Sequence, residues 1–495
     1  MSSFITELTA PNGYNVTVNT GLFINNEFVA GAHTIETVNP STGEVITSVQ
    51  AAEAEQVDLA VEAAHKAFYG GWKTTNARER AHLMHKLADL VQRDGEDIAH
   101  LETMDNGKPL RDSRNFDITG VVGQLRYFAG FCDKLHGKVI ETEGKLSYTV
   151  HEPIGVCAGI IPWNVPIAML AWKIAPALAT GNTIVIKSSE VTPLSALKMA
   201  ELIKEAGFPP GVVNIITGYG NKAGEALSRH MKVSKVAFTG STATGRAIMK
   251  AAAETNLKKV TLELGGKSPN IIFDDVENLD EAVFWSRMGI YWNAGQMCSA
   301  GSRIYVQEGI YDQFIEKFKA MALSGKIGNP FDEDTFQGPQ VSEIQFKRVM
   351  DYIELGKKEG ATCYIGGKRS GSQGYFIEPT MFTDVKPDMR IMKEEIFGPV
   401  VAISKFKDVD DVVAQANDTT YGLAASVFTS NIKRAITVSN ALEAGSVWVN
   451  CYNLVSENSP FGGYKQSGIG RENGEYALSE YTQIKAIKIN VGNPF

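Results

Sequence analysis

The chain has 495 residues, more than one core comfortably holds, and its 44% hydrophobic and 21% charged content is that of packed rather than disordered protein. A formal charge of −8 is spread along the sequence without like-charge blocks, which favours solubility and offers no basic groove for nucleic acid. Five scattered cysteines (Cys132, Cys157, Cys298, Cys363, Cys451), with neither a C-x-x-C pair nor histidines at zinc spacing, fit a reducing compartment and no structural metal.

The opening MSSFITELTAPNGYNVTVNT lacks the basic start and apolar core of a signal peptide. No Lys or Arg precedes Lys66, which also speaks against an Arg-rich presequence, so a cytoplasmic protein is expected. Helices around residues 54 to 132 are expected to close one side of a first lobe. From about residue 154, GVCAGIIPW, NTIVIKSS, GVVNIITG, KVAFTG and KKVTLELGG read as strands, separated by helical patterns such as LSALKMAELIKEAG and NKAGEALSRH. That alternation predicts a parallel, Rossmann-like sheet. The apolar run AMLAWKIAPALA is cut by Lys173 and Pro176, so no membrane span is expected.

After Gly265 a second alternation predicts another α/β lobe, with strands SPNIIFDD, SRIYVQ, ATCYIGG, VVAISKF, ASVFTS and SVWVN and helices YDQFIEKFKAMA and EIQFKRVMDYIELGKK. KLSYTVHEP (145–153) and QIKAIKIN near the C-terminus alternate apolar and polar residues and belong clearly to neither sheet. Open strand edges are usually paired or covered, so these two are read as a subunit-joining arm.

Several strand ends carry candidate chemistry. Gly218, Gly220 and Gly224 follow VVNIIT, but their G-x-G-x-x-x-G spacing differs from the usual pyrophosphate turn, and a plain strand-to-helix turn explains them equally. In FTGSTATG, Gly240 permits close backbone approach and Ser241 or Thr242 can cap a helix; its free N–H groups suit a phosphate, and an ordinary capped helix suits it as well. Lys187 and Glu190 sit at and just beyond the carboxyl end of TIVIK, where they fit ribose hydroxyls or a solvated ion pair. Cys298 sits among small residues in NAGQMCSAGSR, which let other groups approach its sulfur. Glu263 ends an otherwise apolar strand, where a carboxylate must face a cleft or be costly to bury, and Asn164 follows another strand end with an amide able to donate to an oxyanion.

PWNVP, LELGGKSPNII, GQMCSAGSR, EEIFGPV and PFGGYKQSGIGRENGEY together resemble the signature segments of the NAD(P)-dependent aldehyde dehydrogenase superfamily, in the family's order and over nearly the whole chain. The resemblance implies Cys298 as nucleophile, Glu263 as general base, Asn164 as oxyanion donor, and Lys173 with Glu472 as a pair associated with proton movement. It places Ile160, Ile161, Pro162, Trp163, Asn164, Lys187, Glu190, Gly220, Phe238, Gly240, Ser241, Leu264, Gln345, Arg348, Glu395 and Phe397 at the dinucleotide. It places Val165, Met169, Trp172, Met297 and Val455 along an aldehyde tunnel.

The implied fold is α/β, with a Rossmann-like dinucleotide-binding domain (1–130 and 154–264), an α/β catalytic domain (265–470) and a β oligomerisation arm (131–153 and 471–495). The implied activity is oxidation of aliphatic or aromatic aldehydes with NAD in preference to NADP, by a homo-oligomer, tetramer or dimer, without metal, nucleic acid or membrane. A CoA-acylating relative would have no need of Glu263, and a non-catalytic one would need neither Glu263 nor Cys298.

Overall fold

The computed structural model describes residues 4–142 and 145–492; the outermost ends of the expected domains (1–3, 493–495) and positions 143–144 lie outside it. Five of the predicted strands form the centre of the first sheet: β1 (Val156–Ile160), β2 (Thr183–Ser188), β3 (Val213–Thr217), β4 (Lys235–Thr239) and β5 (Lys259–Glu263). They lie parallel in the spatial order β5-β4-β1-β2-β3. All but the start of β5 are buried, as parallel strands covered on both faces should be, which is why they read as continuous apolar runs.

The chain order reverses between β1 and β4, so the crevice at their carboxyl ends is the topological switch point where open α/β sheets bind ligands. Two helices start there. Pro166–Ala179 (α1) opens with proline at its first position, where the fixed φ and missing N–H cost nothing. Thr242–Ala253 (α2) is capped by Ser241, which accepts from Thr244 N at 3.2 Å. Lys173 and Pro176 both lie in α1, and among the described residues no helix is long and apolar enough to cross a membrane.

The second lobe has a seven-stranded sheet, in the order Thr362–Ile365, Thr380–Thr383, Val400–Phe406, Arg303–Gln307, Pro269–Ile272, Ala424–Phe428, Ser446–Val449. Only the pairing of the first two is antiparallel. Lys145–Pro153 and Thr482–Asn490 pair antiparallel with each other, and with Val139–Thr142 they form a separate three-stranded sheet.

Three features depart from the sequence reading. The first 51 residues contribute strands rather than leaving the first lobe closed by helices alone: Leu22–Ile24 and Glu27–Val29 extend the first sheet beyond β3, and two further hairpins lie beside it. Gly468–Ile469, expected in the second lobe, pairs antiparallel with β5 and closes the opposite edge of the first sheet. Thr380–Thr383, unread as a strand, is a fully buried member of the second sheet.

Candidate active site

The carboxyl ends of β1, β4 and β5 open into one cavity of ≈ 340 Å³ that also meets the second lobe. Its lining brings together Cys298, Glu263 and Asn164 with Pro162, Trp163, Gly240, Ser241, Gln345, Arg348, Glu395 and Phe397. Val165, Met169, Trp172, Met297 and Val455 line the same cavity.

Asn164 is 5% exposed, and its Nδ2 donates to the Gln296 carbonyl at 2.8 Å. An acceptor at that distance fixes which end of the amide is nitrogen and ties one N–H to the loop bearing Cys298, leaving the other N–H available. Glu263, only 2% exposed, has its carboxyl pushed up to about 8, chiefly by burial; the neighbouring Cys298 thiol and Lys173 ammonium pull it back. Among the described residues its Oε1 has no hydrogen-bond partner. Cys298 keeps part of its surface open, yet burial first and the Glu263 carboxylate second push its thiol well above the ordinary cysteine value. In the ligand-free site, the two groups therefore resist carrying negative charge together.

Glycines set the approach of the surrounding backbone. A Cβ on Gly266 would sit 2.5 Å from the Cys298 carbonyl oxygen, and one on Gly265 would sit 2.3 Å from the Glu395 carboxylate. Glu395, raised to about 7 mainly by burial, accepts from Gly266 N at 3.0 Å. Gln345 Nε2 donates to the Phe397 carbonyl at 2.7 Å and Arg348 to the Glu395 carbonyl at 2.9 Å, while the Phe397 and Trp163 rings meet edge to face. Behind Glu263, Lys173 donates to Glu472 in a buried ion pair.

Other expected positions lie outside the lining. Ile160, Ile161, Phe238 and Leu264 are buried, and the Phe238 ring would lie 2.5 Å from a Cβ on Gly240. Lys187, near the end of β2, and Glu190, just beyond it, form an ion pair at 3.0 Å, with Lys187 buried and Glu190 half-buried. Gly220 opens a π-type turn and is likewise absent from the lining. Packing explains Gly218, because a Cβ there would meet the Ala52 carbonyl at 2.6 Å. Among the described residues, the one grouping with metal-ligand geometry, Asp58, Glu62 and His230, lies away from this cavity.

Sequence reasoning missed Phe116, Asp117, Gly120, Thr239, Trp292, Ser299, Asn453 and Phe461, which also line the cavity. Phe116 and Asp117 lie in a π-type turn (Ser113–Ile118), a local widening with no residue signature. Trp292 and Phe461 stand in or beside segments that drew attention for other residues, and an apolar aromatic beside a reactive group was the available signal.

Residues 28–487 match the sequence profile of the aldehyde dehydrogenase family. The chain is 56% identical over 496 residues to an aldehyde dehydrogenase of Aspergillus niger, covering 100% of this chain and 99% of that one. It is 54% identical over 487 residues to the mitochondrial aldehyde dehydrogenase of Homo sapiens, covering 97% and 94%. An NAD+ complex of aldehyde dehydrogenase from Bacillus cereus superposes with a TM-score of 0.94 at 50% identity, covering 96% of this chain and 97% of that one.

Independently of these likenesses, Glu263→Gln should move the pH midpoint of Cys298 alkylation by iodoacetamide downward in the ligand-free protein. Removing the carboxylate removes a charge that disfavours the thiolate, although burial remains. An unchanged midpoint, read by mass spectrometry of the Cys298 peptide, would mean that the two groups do not interact.

Proposed function

The chain belongs to the aldehyde dehydrogenase family, and on that premise we propose that it oxidises an aldehyde to its carboxylic acid with NAD, through a thioester on Cys298. The observation that carries this reading is the meeting of Cys298, Glu263 and Asn164 in one cavity at the switch point. The surroundings fit a dinucleotide: the N-terminus of α2 opens beside Gly240 and Ser241, and Thr239 Oγ1 is buried without a partner among the described residues. Pro162, Trp163, Gly240, Ser241, Gln345, Arg348, Glu395 and Phe397 would hold it, together with Lys187 and Glu190. When bound, the dinucleotide supplies the hydride acceptor.

The residues divide the work as follows. An aldehyde has no leaving group but hydride, so its oxidation begins with a tetrahedral alkoxide, which the Cys298 thiolate, its proton given up to water, builds by adding to the carbonyl carbon. The free Asn164 N–H and the Cys298 backbone N–H face the developing oxyanion; losing one such donor typically costs about 3–4 kcal/mol. Loss of hydride leaves an acyl thioester on Cys298. Glu263 then takes a proton from water, which attacks the thioester, expels the thiolate and releases the acid. The buried Lys173–Glu472 pair behind Glu263 supports the return of that proton toward solvent.

The five tunnel residues, Val165, Met169, Trp172, Met297 and Val455, are apolar apart from the Trp172 indole N–H. Among the described lining residues Arg348 is the one cation, and it bonds the Glu395 backbone, so an aldehyde bearing a second carboxylate finds no partner in the tunnel. Aliphatic and aromatic aldehydes fit best. The separate sheet containing Val139–Thr142 exposes Val139, Ile140, Leu146, Ile484 and Ile489, which supports a homo-oligomer, taken here as a tetramer. A cytoplasmic location is supported by the five cysteines, all of them free, as a reducing compartment would keep them.

Glu263→Gln should still release one equivalent of NADH and then stall at the thioester, because an amide cannot accept the proton from water. In the parent, Glu263 is largely protonated below about 8, so hydrolysis should rise with pH through that range. Loss of the first turnover in the variant, or a flat pH profile where hydrolysis limits the rate, contradicts this role.

Replacing Val165 and Val455 with Phe narrows the tunnel and should raise KM for long or aromatic aldehydes more than for acetaldehyde. An equal change for all would remove both residues from the substrate path.

For cofactor choice, the Glu190 carboxylate can accept from ribose hydroxyls, whereas it would repel the phosphate of NADP. A preference for NAD of about ten- to hundredfold in kcat/KM is expected, equivalent to about 1.4–2.8 kcal/mol. Glu190→Gln should shrink it; an unchanged ratio assigns Glu190 only to its ion pair with Lys187.

A further inference from the structure

The segment leading to Cys298 takes an unusual path. The helix Leu279–Tyr291 ends, and Asn293, Ala294 and Gly295 follow with φ of 51°, 53° and 72°, three successive residues in the left-handed region. Ala is ill-suited to that conformation, so the surroundings must impose it. They leave no alternative at Gly295, where a Cβ would lie 2.1 Å from the Gly398 carbonyl oxygen. Gln340 Nε2 donates to the Ala294 carbonyl at 3.1 Å, and Gln296 N to the Asn293 carbonyl at 3.0 Å.

The turn aims the Asn293 side chain at the oxyanion donor. Its Nδ2 donates to the Asn164 carbonyl at 3.0 Å and lies 3.4 Å from the Gln296 carbonyl, the same oxygen that accepts from Asn164 Nδ2 at 2.8 Å. From the opposite side, Asn106 Nδ2 donates to the carbonyls of Trp163 at 2.7 Å and Asn164 at 3.2 Å. Asn106, Asn164, Asn293 and Gln296 are all buried, and Asn106 and Asn293 are not among the cavity-lining residues. Asn164 is thus gripped through its backbone carbonyl by one residue from each lobe, and through its side chain by the nucleophile loop.

We propose that Asn293 is a positioning residue for the reaction, locking the Asn164 amide in register with Cys298 so that its second N–H meets the oxyanion as the sulfur adds. It touches no substrate. The left-handed turn is the device that turns its amide back onto Asn164, and a misplaced donor hinders formation and collapse of the tetrahedral alkoxide rather than binding of aldehyde. This rests on the reading of Asn164 as oxyanion donor given above.

The test is a double-mutant cycle on the full-length enzyme with propanal, 1-deuteropropanal and NAD. Asn293→Gly removes the amide while glycine keeps the left-handed turn. Asn293→Asp, which also tolerates that region and keeps the side-chain size, serves as a second variant without the N–H donor, so the test survives if glycine loosens the fold. Thermal melting checks that each remains folded.

Either variant should lower kcat about tenfold or more, the scale of a misplaced catalytic group, while KM for propanal moves less than about threefold. A deuterium isotope effect on kcat should appear or grow. In an Asn164→Ala background, the further loss from Asn293→Gly should fall below about twofold, because the group it positions is already absent. Parental kcat in both folded variants, a change in KM alone, or a full loss repeated in the Asn164→Ala background overturns the assignment. Parental speed of Asn164→Ala itself removes the oxyanion reading and this one with it, whereas a slow Asn164→Ala enzyme with fully multiplicative losses removes only the role of Asn293.

Discussion

A buried carboxyl group and a half-buried thiol set side by side are the constraint on which this structure depends. Neither Glu263 nor Cys298 is comfortable as an anion in the empty cavity, because burial opposes charge on both and each charge opposes the other. Such a pair cannot be held by surface chemistry. It needs a strand end sealed on both faces, which β5 supplies, and a neighbouring strand at its edge, which Gly468–Ile469 supplies. Ser467 extends that seal: its carbonyl accepts from Leu264 N at 2.9 Å and its hydroxyl donates to the Gly265 carbonyl at 2.7 Å. The same hydroxyl accepts from Gly422 N of the second lobe at 2.9 Å, so the end of β5 that carries Glu263 and the lobe that carries Cys298 are joined across one buried oxygen.

The two sheets contribute differently. The first provides the switch point and the strand ends that carry Asn164 and Glu263; the second frames the loop of Cys298 and the segment of Glu395 and Phe397. The reactive groups therefore meet only because both lobes are folded and docked. Asn106 and Asn293 express this at the level of single hydrogen bonds, since they reach the same Asn164 carbonyl from different parts of the chain. Polar groups buried in such a network are costly unless satisfied, and here they also set direction, which an apolar seam could not do.

Much of this was legible in the residues. Strands β1 to β5 announce themselves because a parallel strand covered on both faces is apolar throughout, and a lone Glu at the end of such a run is conspicuous. The short N-terminal strands were not legible: Leu22–Ile24 and Glu27–Val29 span three residues each, too few for a period. Gly468–Ile469 is a strand only because β5 lies beside it. Gly218 carried two readings for a physical reason, since close packing against Ala52 demands glycine as firmly as a phosphate would. The cavity wall at Phe116 and Gly120 depends on how a helical segment widens, and the turn at Asn293 and Ala294 on packing against Gly398; neither leaves a pattern in composition.

The central claim is that oxidation passes through an acyl group carried by Cys298. Rapid acid quench of the enzyme mixed with propanal and NAD, followed by mass spectrometry of the peptide containing Cys298, tests it most directly. The account predicts that this peptide gains the mass of a propionyl group within the first turnover and loses it as the acid is released. Acid formation with no acyl group on Cys298, or with one on Cys157, Cys363 or Cys451 instead, would contradict it.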